Sequence, residues 1–235
     1  MPAAREDLAC PGRPSEPISY RADALVHALL IHIQCGNYAA ANAEADELVA
    51  LANKKGALFW KAQGMSKQGC ILAVTGKAAE AVQMITSDIA AWWSTGSTAW
   101  MPLYLSYLAR AYAELGQFEH ARRCIDEAMT AAETTKERSH EADVHRLACE
   151  IALMSPEPDA AKAEACFERA LAVARAEQAK SWELRAAMSV PRLWRDQGKR
   201  NEARDLLTPV YNWFTEGFDT PDLKEVKALL EILPT

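Results

Sequence analysis

Glycine recurs at positions 36, 76 and 116, forty residues apart, and again at 198, eighty-two residues further on. Alanine stands five positions after each glycine, at Ala41, Ala81, Ala121 and Ala203, and Ala163 falls where a fourth unit without its glycine would carry its own. Four residues beyond the alanine come Ala45, Ile85, Ile125, Phe167 and Leu207. Three beyond those stand Leu48, Asp88, Ala128, Ala170 and Val210, so that Asp88 alone interrupts the apolar columns. Five copies of one unit constrain the fold strongly, because each must bury its apolar face against its neighbours in a stacked array.

Within a unit the spacing is that of two amphipathic helices about a tight turn. In the third copy Leu105, Leu108, Ala109 and Tyr112 lie at i, i+3, i+4 and i+7, the chain turns at 115–117, and Ala121, Ile125 and Ala128 resume the period. Glycine suits the end of the first helix, where a left-handed residue costs least without a Cβ. The expected helices are 21–35, 38–54, 56–75, 77–94, 99–115, 117–135, 137–154, 158–178, 180–197 and 199–216. They group into units 21–55, 56–95, 98–135, 137–178 and 180–217 within a repeat domain of 20–235. Pro191 should kink or interrupt the ninth helix. Residues 1–19, with their prolines and charge cluster, are expected to be disordered. Thr220, Pro221 and Asp222 mark the start of a last helix, about 221–233, that caps the open apolar face of the array.

The third copy resembles the tetratricopeptide (TPR) repeat, supplying Leu105, Leu108, Ala109, Tyr112, Gly116, Ala121, Ile125 and Ala128 in the order of that signature. The unit is about 40 residues, where the standard repeat has ~34. HEAT and armadillo repeats have the longer period, but the fixed glycine-to-alanine turn register argues against them. The resemblance implies an all-α, right-handed superhelical solenoid of about five hairpins.

A second resemblance covers roughly 20–233. Segments 104–117 and 160–175, and above all WRDQGK (194–199), PVY (209–211) and WFTEGFDT (213–220), are similar to the C-terminal repeat region of bacterial signalling proteins. In those proteins a class III adenylate/guanylate cyclase domain or a winged-helix domain precedes an ATPase module of the AAA/STAND type. The resemblance implies a non-catalytic scaffold that binds a protein or peptide, including the cyclase/ATPase domains of a related protein. It also implies an alternative, a sensor of an anionic small ligand or inducer. The sequence lacks the upstream domains, so neither cyclase nor ATPase activity carries over, and the expectation is a stand-alone paralogue or a truncated form.

Composition narrows the function classes. The 235 residues are 50% hydrophobic and 25% charged, and 26 basic against 32 acidic residues leave a net charge of −6. That sign disfavours nucleic acid and anionic membranes as partners. Neither uncharged stretch, 24–43 or 89–109, is an unbroken apolar span of ~20 residues. No secretory signal precedes the prolines at 11, 14 and 17. A cytoplasmic location follows, with six scattered cysteines read as reduced thiols.

Catalytic and cofactor signatures are not expected. Gly69 to Ala78 superficially resembles a phosphate-binding loop, but six residues separate its glycines, and Ala78 stands where a hydroxyl must hold magnesium. His27/His32 and His140/His145 are five apart, on different helix faces, so neither pair is a preformed metal site. Glu141 and His145, at i and i+4, read as an ion pair. No serine, histidine and acid trio is recognisable, so no catalytic, cofactor or metal residue is assigned.

The inner face of the solenoid carries the candidate site. The copy-three register turns Gln63, Ser66 and Cys70, then Leu103, Ser106 and Arg110, then Ala142, His145 and Cys149, then Arg185, Met188 and Arg192 toward a concave groove. Gln63, Arg110, His145, Arg185, Arg192 and Arg195 are therefore the candidate partner or ligand residues, with the cations able to clamp a carboxylate or phosphate. The alternative is that they are solvated or paired within the chain. Trp60, Trp92, Trp93 and Trp100 are expected mostly in packing between units, with Trp93 or Trp100 as an alternative exposed anchor.

Overall fold

A computed structural model describes residues 16–94, 98–156, 158, 160–194 and 199–233, with side chains at all of these except 16–19, 91–94, 162 and 191–193. Eleven helices run along it: α1 (Glu16–Gln34), α2 (Tyr38–Lys55), α3 (Leu58–Val74), α4 (Ala78–Ser94), α5 (Met101–Glu114), α6 (Phe118–Thr135), α7 (Glu141–Met154), α8 (Ala160–Ala176), α9 (Lys180–Trp194), α10 (Arg200–Tyr211) and α11 (Pro221–Ile232). No strand occurs among the described residues. The fold is an all-α solenoid of five hairpins, α1/α2 to α9/α10, closed by α11.

The repeat columns account for how each hairpin holds together. Ala41, Ala81, Ala121, Ala163 and Ala203 are all buried, as are Ala45, Ile85, Ile125, Phe167 and Leu207 one turn further on. The small residue lets two helix backbones approach, and the larger one fills the space behind it. At the turn of the third hairpin Gly116 takes φ +72, its N–H donates to the Ala113 carbonyl (3.0 Å), and the Gln117 N–H donates to that of Tyr112 (2.9 Å). That pattern satisfies the last carbonyls of α5 and needs a left-handed residue. The α7/α8 hairpin has no such glycine and instead leaves its first helix through extended Ser155 (ψ 156).

The odd-numbered helices pack against one another along the array, α1 on α3, α3 on α5, α5 on α7, α7 on α9 and α9 on α11. The even-numbered helices pack on the odd ones, so the array curves with the odd helices inside. The two larger apolar clusters among the described residues run through it: one spans α1 to α7, and the other spans α7 to α11. In the second, Leu223 and Val226 of α11 bury against the cluster that holds Leu207 and Val210. The last hairpin is thereby capped.

Some boundaries differ from expectation. Helix α1 starts at Glu16, with Pro17 in its first turn, where a missing N–H costs no helical hydrogen bond. Helix α9 continues through Pro191 to Trp194 without interruption. Helix α10 ends at Tyr211, five residues before the expected end. Cys35, Cys70, Cys124, Cys149 and Cys166 are free thiols, and Cys10 lies outside the described residues. No described helix is long and apolar enough to cross a membrane.

The two ends of the array meet across the concave side. Gly36, in the α1–α2 turn, lies so close to α11 that a Cβ on it would sit 2.6 Å from Cγ of Pro221. Arg185 of α9 bridges the same ends. Its Nε donates to Oδ2 of Asp222 at 2.7 Å, its Nη2 to the Gln34 carbonyl at 2.6 Å, and its Nη1 to Oε1 of Gln34.

Candidate functional site

Where the two ends meet, the concave side holds a partly open cavity of about 340 Å³. Its walls come from the end of α1, from Tyr38 of α2 and Val74 of α3, from α5, α7 and α9, and from Pro221, Asp222 and Glu225 of α11. The charged groups come in opposed pairs. Arg146 meets Asp143 through Nε (2.7 Å) and Nη2 (2.6 Å), and meets Oε1 of Glu150 through Nη1 (2.7 Å). The same Glu150 oxygen accepts the Ser189 hydroxyl at 2.8 Å. Burial works against the Asp143 carboxylate, but Arg146 and Arg185 outweigh it and hold its pKa below the usual range. Arg110 also lines the cavity, and its Nε donates to Oε1 of Glu114 at 3.3 Å.

Beside the cavity the inner face is filled. Trp100 precedes α5 in a left-handed conformation (φ 65), with its N–H donating to Oε2 of Glu137 at 2.9 Å. Its ring meets those of His27 and His140 edge-on, and His140 meets Trp182 in the same way. Under this row lies Lys67, fully buried, with Nζ 4.7 Å from the centroids of both Trp100 and Tyr104. Lys67 donates to the Tyr104 hydroxyl at 3.0 Å, and that hydroxyl donates to Oε1 of Gln63 at 2.9 Å. Burial pushes the Lys67 ammonium down to about 8, against the opposing pull of Cys70 and Glu137. Burial also pushes the His140 imidazole down to about 4, so it is neutral near pH 7.

The residues expected at the groove are therefore distributed. Arg110 and Arg185 line one cavity, together with Ser106 and Met188. Gln63 is buried under Tyr104 and does not reach that cavity. His145 sits half-buried beside Glu141, with Nε2 4.0 Å from Oε1. The Arg192 side chain and Arg195 lie outside the described residues, as do the side chains of Trp92 and Trp93. Trp100 is half-buried between units, not an exposed anchor.

In α7 the cavity is lined by Asp143, Arg146 and Glu150, each one residue after the expected Ala142, His145 and Cys149. One residue is ~100° of helix rotation. Val144 is the apolar residue that suggests the expected register, yet the forty-residue period places His145 opposite Leu105. The spacing of Asp143, Arg146 and Glu150, at i, i+3 and i+7, carries the signal that would have identified this face. Among the described residues no three metal-ligating side chains cluster together.

This architecture defines a class. The chain has a TPR-like helical-repeat fold, and the solved structures most usefully set beside it are two crystal structures of a putative kinesin light chain with nearly identical TPR-like repeats from Podosopora anserina. One, a substituted form of that protein, is 18% identical, with a TM-score of 0.54, covering 84% of this chain and 95% of the other. The second is 16% identical, with a TM-score of 0.52, covering 89% and 94%. No protein-family model and no curated protein matches the chain.

Proposed function

We propose that this chain is a non-catalytic, cytoplasmic interaction module that regulates a signalling protein of the class III cyclase and AAA/STAND ATPase type, by binding its cyclase/ATPase domains. The TPR-like array is the observation that carries this reading, since stacked hairpins present a broad surface and supply no reaction chemistry of their own. The likeness of 194–220 to the C-terminal repeats of such proteins supports the choice of partner. Units 21–55, 56–95, 98–135, 137–178 and 180–217 are the repeats of this module. A partner segment that reaches Arg110 and Arg185 on the concave side must displace Gln34 or Asp222. The test is titration of the purified chain with a purified cyclase–ATPase fragment of that type. Saturable binding with no ATP hydrolysis or cyclic-nucleotide formation by the chain itself is expected. Intrinsic turnover, or no binding at micromolar concentration, contradicts the reading.

The cavity favours a second reading, a small-ligand sensor. Its volume of about 340 Å³ falls within the range of small-molecule sites. Because α1, α9 and α11 all contribute to its wall, a bound ligand would bear on how the array closes.

A further inference from the structure

We infer that the cavity is a site for a small zwitterion, a molecule the size of an amino acid that carries both an ammonium and a carboxylate group. The inference rests on the sensor reading and changes its ligand from an anion to a molecule that carries one charge of each sign. Every nitrogen of Arg146 and of Arg185 is already engaged, by Asp143 and Glu150 in one case and by Asp222 and Gln34 in the other. A simple anion that took either guanidinium would strand a carboxylate beside it, a costly loss in a half-buried site. Arg110 differs. Its Nη1 and Nη2 have no partner among the described residues, and it lines the cavity. That edge suits one carboxylate in a fork geometry.

The acceptor half is also present. Both described contacts of Glu150, from Arg146 and from Ser189, fall on Oε1, and the contact of Asp222 falls on Oδ2. The second oxygen of each is unpartnered among the described residues, and both residues line the cavity. An ammonium supplies up to three donors for such oxygens. The Tyr107 hydroxyl, also in the wall, has no hydrogen bond among the described residues. Burial keeps it protonated, and it is a further neutral donor or acceptor. The closed ends exclude an extended peptide at this level, because Gly36 and Pro221 are in contact there.

The experiment is isothermal titration calorimetry on the full chain. Its probes are the common L-amino acids, their N-acetyl and amide derivatives, and succinate and inorganic phosphate as anion-only controls. At least one free amino acid should bind, and blocking either its amine or its carboxylate should weaken binding by about tenfold or more. Arg110→Ala should weaken that binding to a similar degree while leaving the circular dichroism melt unchanged, and Tyr107→Phe provides a second variant that conserves shape. If succinate or phosphate binds as well as any amino acid and N-acetylation has no effect, the zwitterion is wrong and the sensor reading survives. If no probe binds at millimolar concentration, both fall.

Discussion

Lys67 and Asp88 carry the cost of two buried charges, and they make opposite demands on pH. The Lys67 pKa of about 8 in the folded chain lies below the unfolded value of ~10.4, so between these limits the unfolded chain holds the extra proton. Its contribution to stability therefore rises as pH increases through that window. Urea melts at pH 7.5 and 10 should show that Lys67→Met loses about 2 kcal/mol of this rise relative to the parent; equal pH slopes in the two proteins would contradict the assignment. Asp88 breaks the apolar column, its Oδ2 has no partner among the described residues, and burial raises its carboxyl to about 6. Here the folded chain holds the proton, so stability falls as pH rises from ~4 to 6. Asp88→Leu restores the column and should stabilise the protein at pH 7 by about 1–3 kcal/mol, read from the same melts, with the acid-side slope reduced. His140 acts with the reverse sign: its lowered value makes stability rise with pH between about 4 and the unfolded ~6.5, so only the single variants separate the two.

At the scale of the element, the hairpin was the most legible part of the sequence. The glycine at the turn and the alanine five residues later correspond to a left-handed C-cap and a close helix contact, both local in origin. Ala121→Leu should cost about 1–3 kcal/mol in thermal or urea melts by forcing α5 and α6 apart. What the repeat register could not convey was long-range. The contact of Gly36 with Pro221 joins residues 185 positions apart, and the helical pattern of either end holds no trace of it. The one-residue turn of α7 was hidden for a different reason, because His145 occupies the position where the pattern calls for an apolar side chain. Gly76 provides the comparison: it has φ +79 but nothing within 4 Å of an added Cβ, whereas Gly36 has φ +75 and meets Pro221. Gly76→Ala should cost only about 1 kcal/mol of backbone strain, and Gly36→Ala should cost more. The excess should vanish when Pro221 is also changed to alanine, which a double-mutant cycle on melting free energies would measure.

At the scale of the whole molecule, the two ends of the array meet. An open array would expose Arg185 and leave its charge to solvent; in the closed one it is held by Asp222, by the Gln34 side chain and by the Gln34 carbonyl. Arg185→Ala should therefore destabilise the fold by about 1.5–3 kcal/mol, far more than Arg110→Ala, whose i,i+4 pair with Glu114 is a partly exposed one. Closure also bears on what the concave side can admit, because both ends of the array contribute to the charged wall of the cavity. The measurement that tests this most directly is pulsed electron paramagnetic resonance between spin labels at Ile31 of α1 and Lys224 of α11, both exposed, attached by chemistry that spares the native thiols. A closed array predicts one short, narrow distance distribution that lengthens and broadens on Arg185→Ala. A broad distribution in the parent protein, unchanged by that substitution, would show that the ends do not meet.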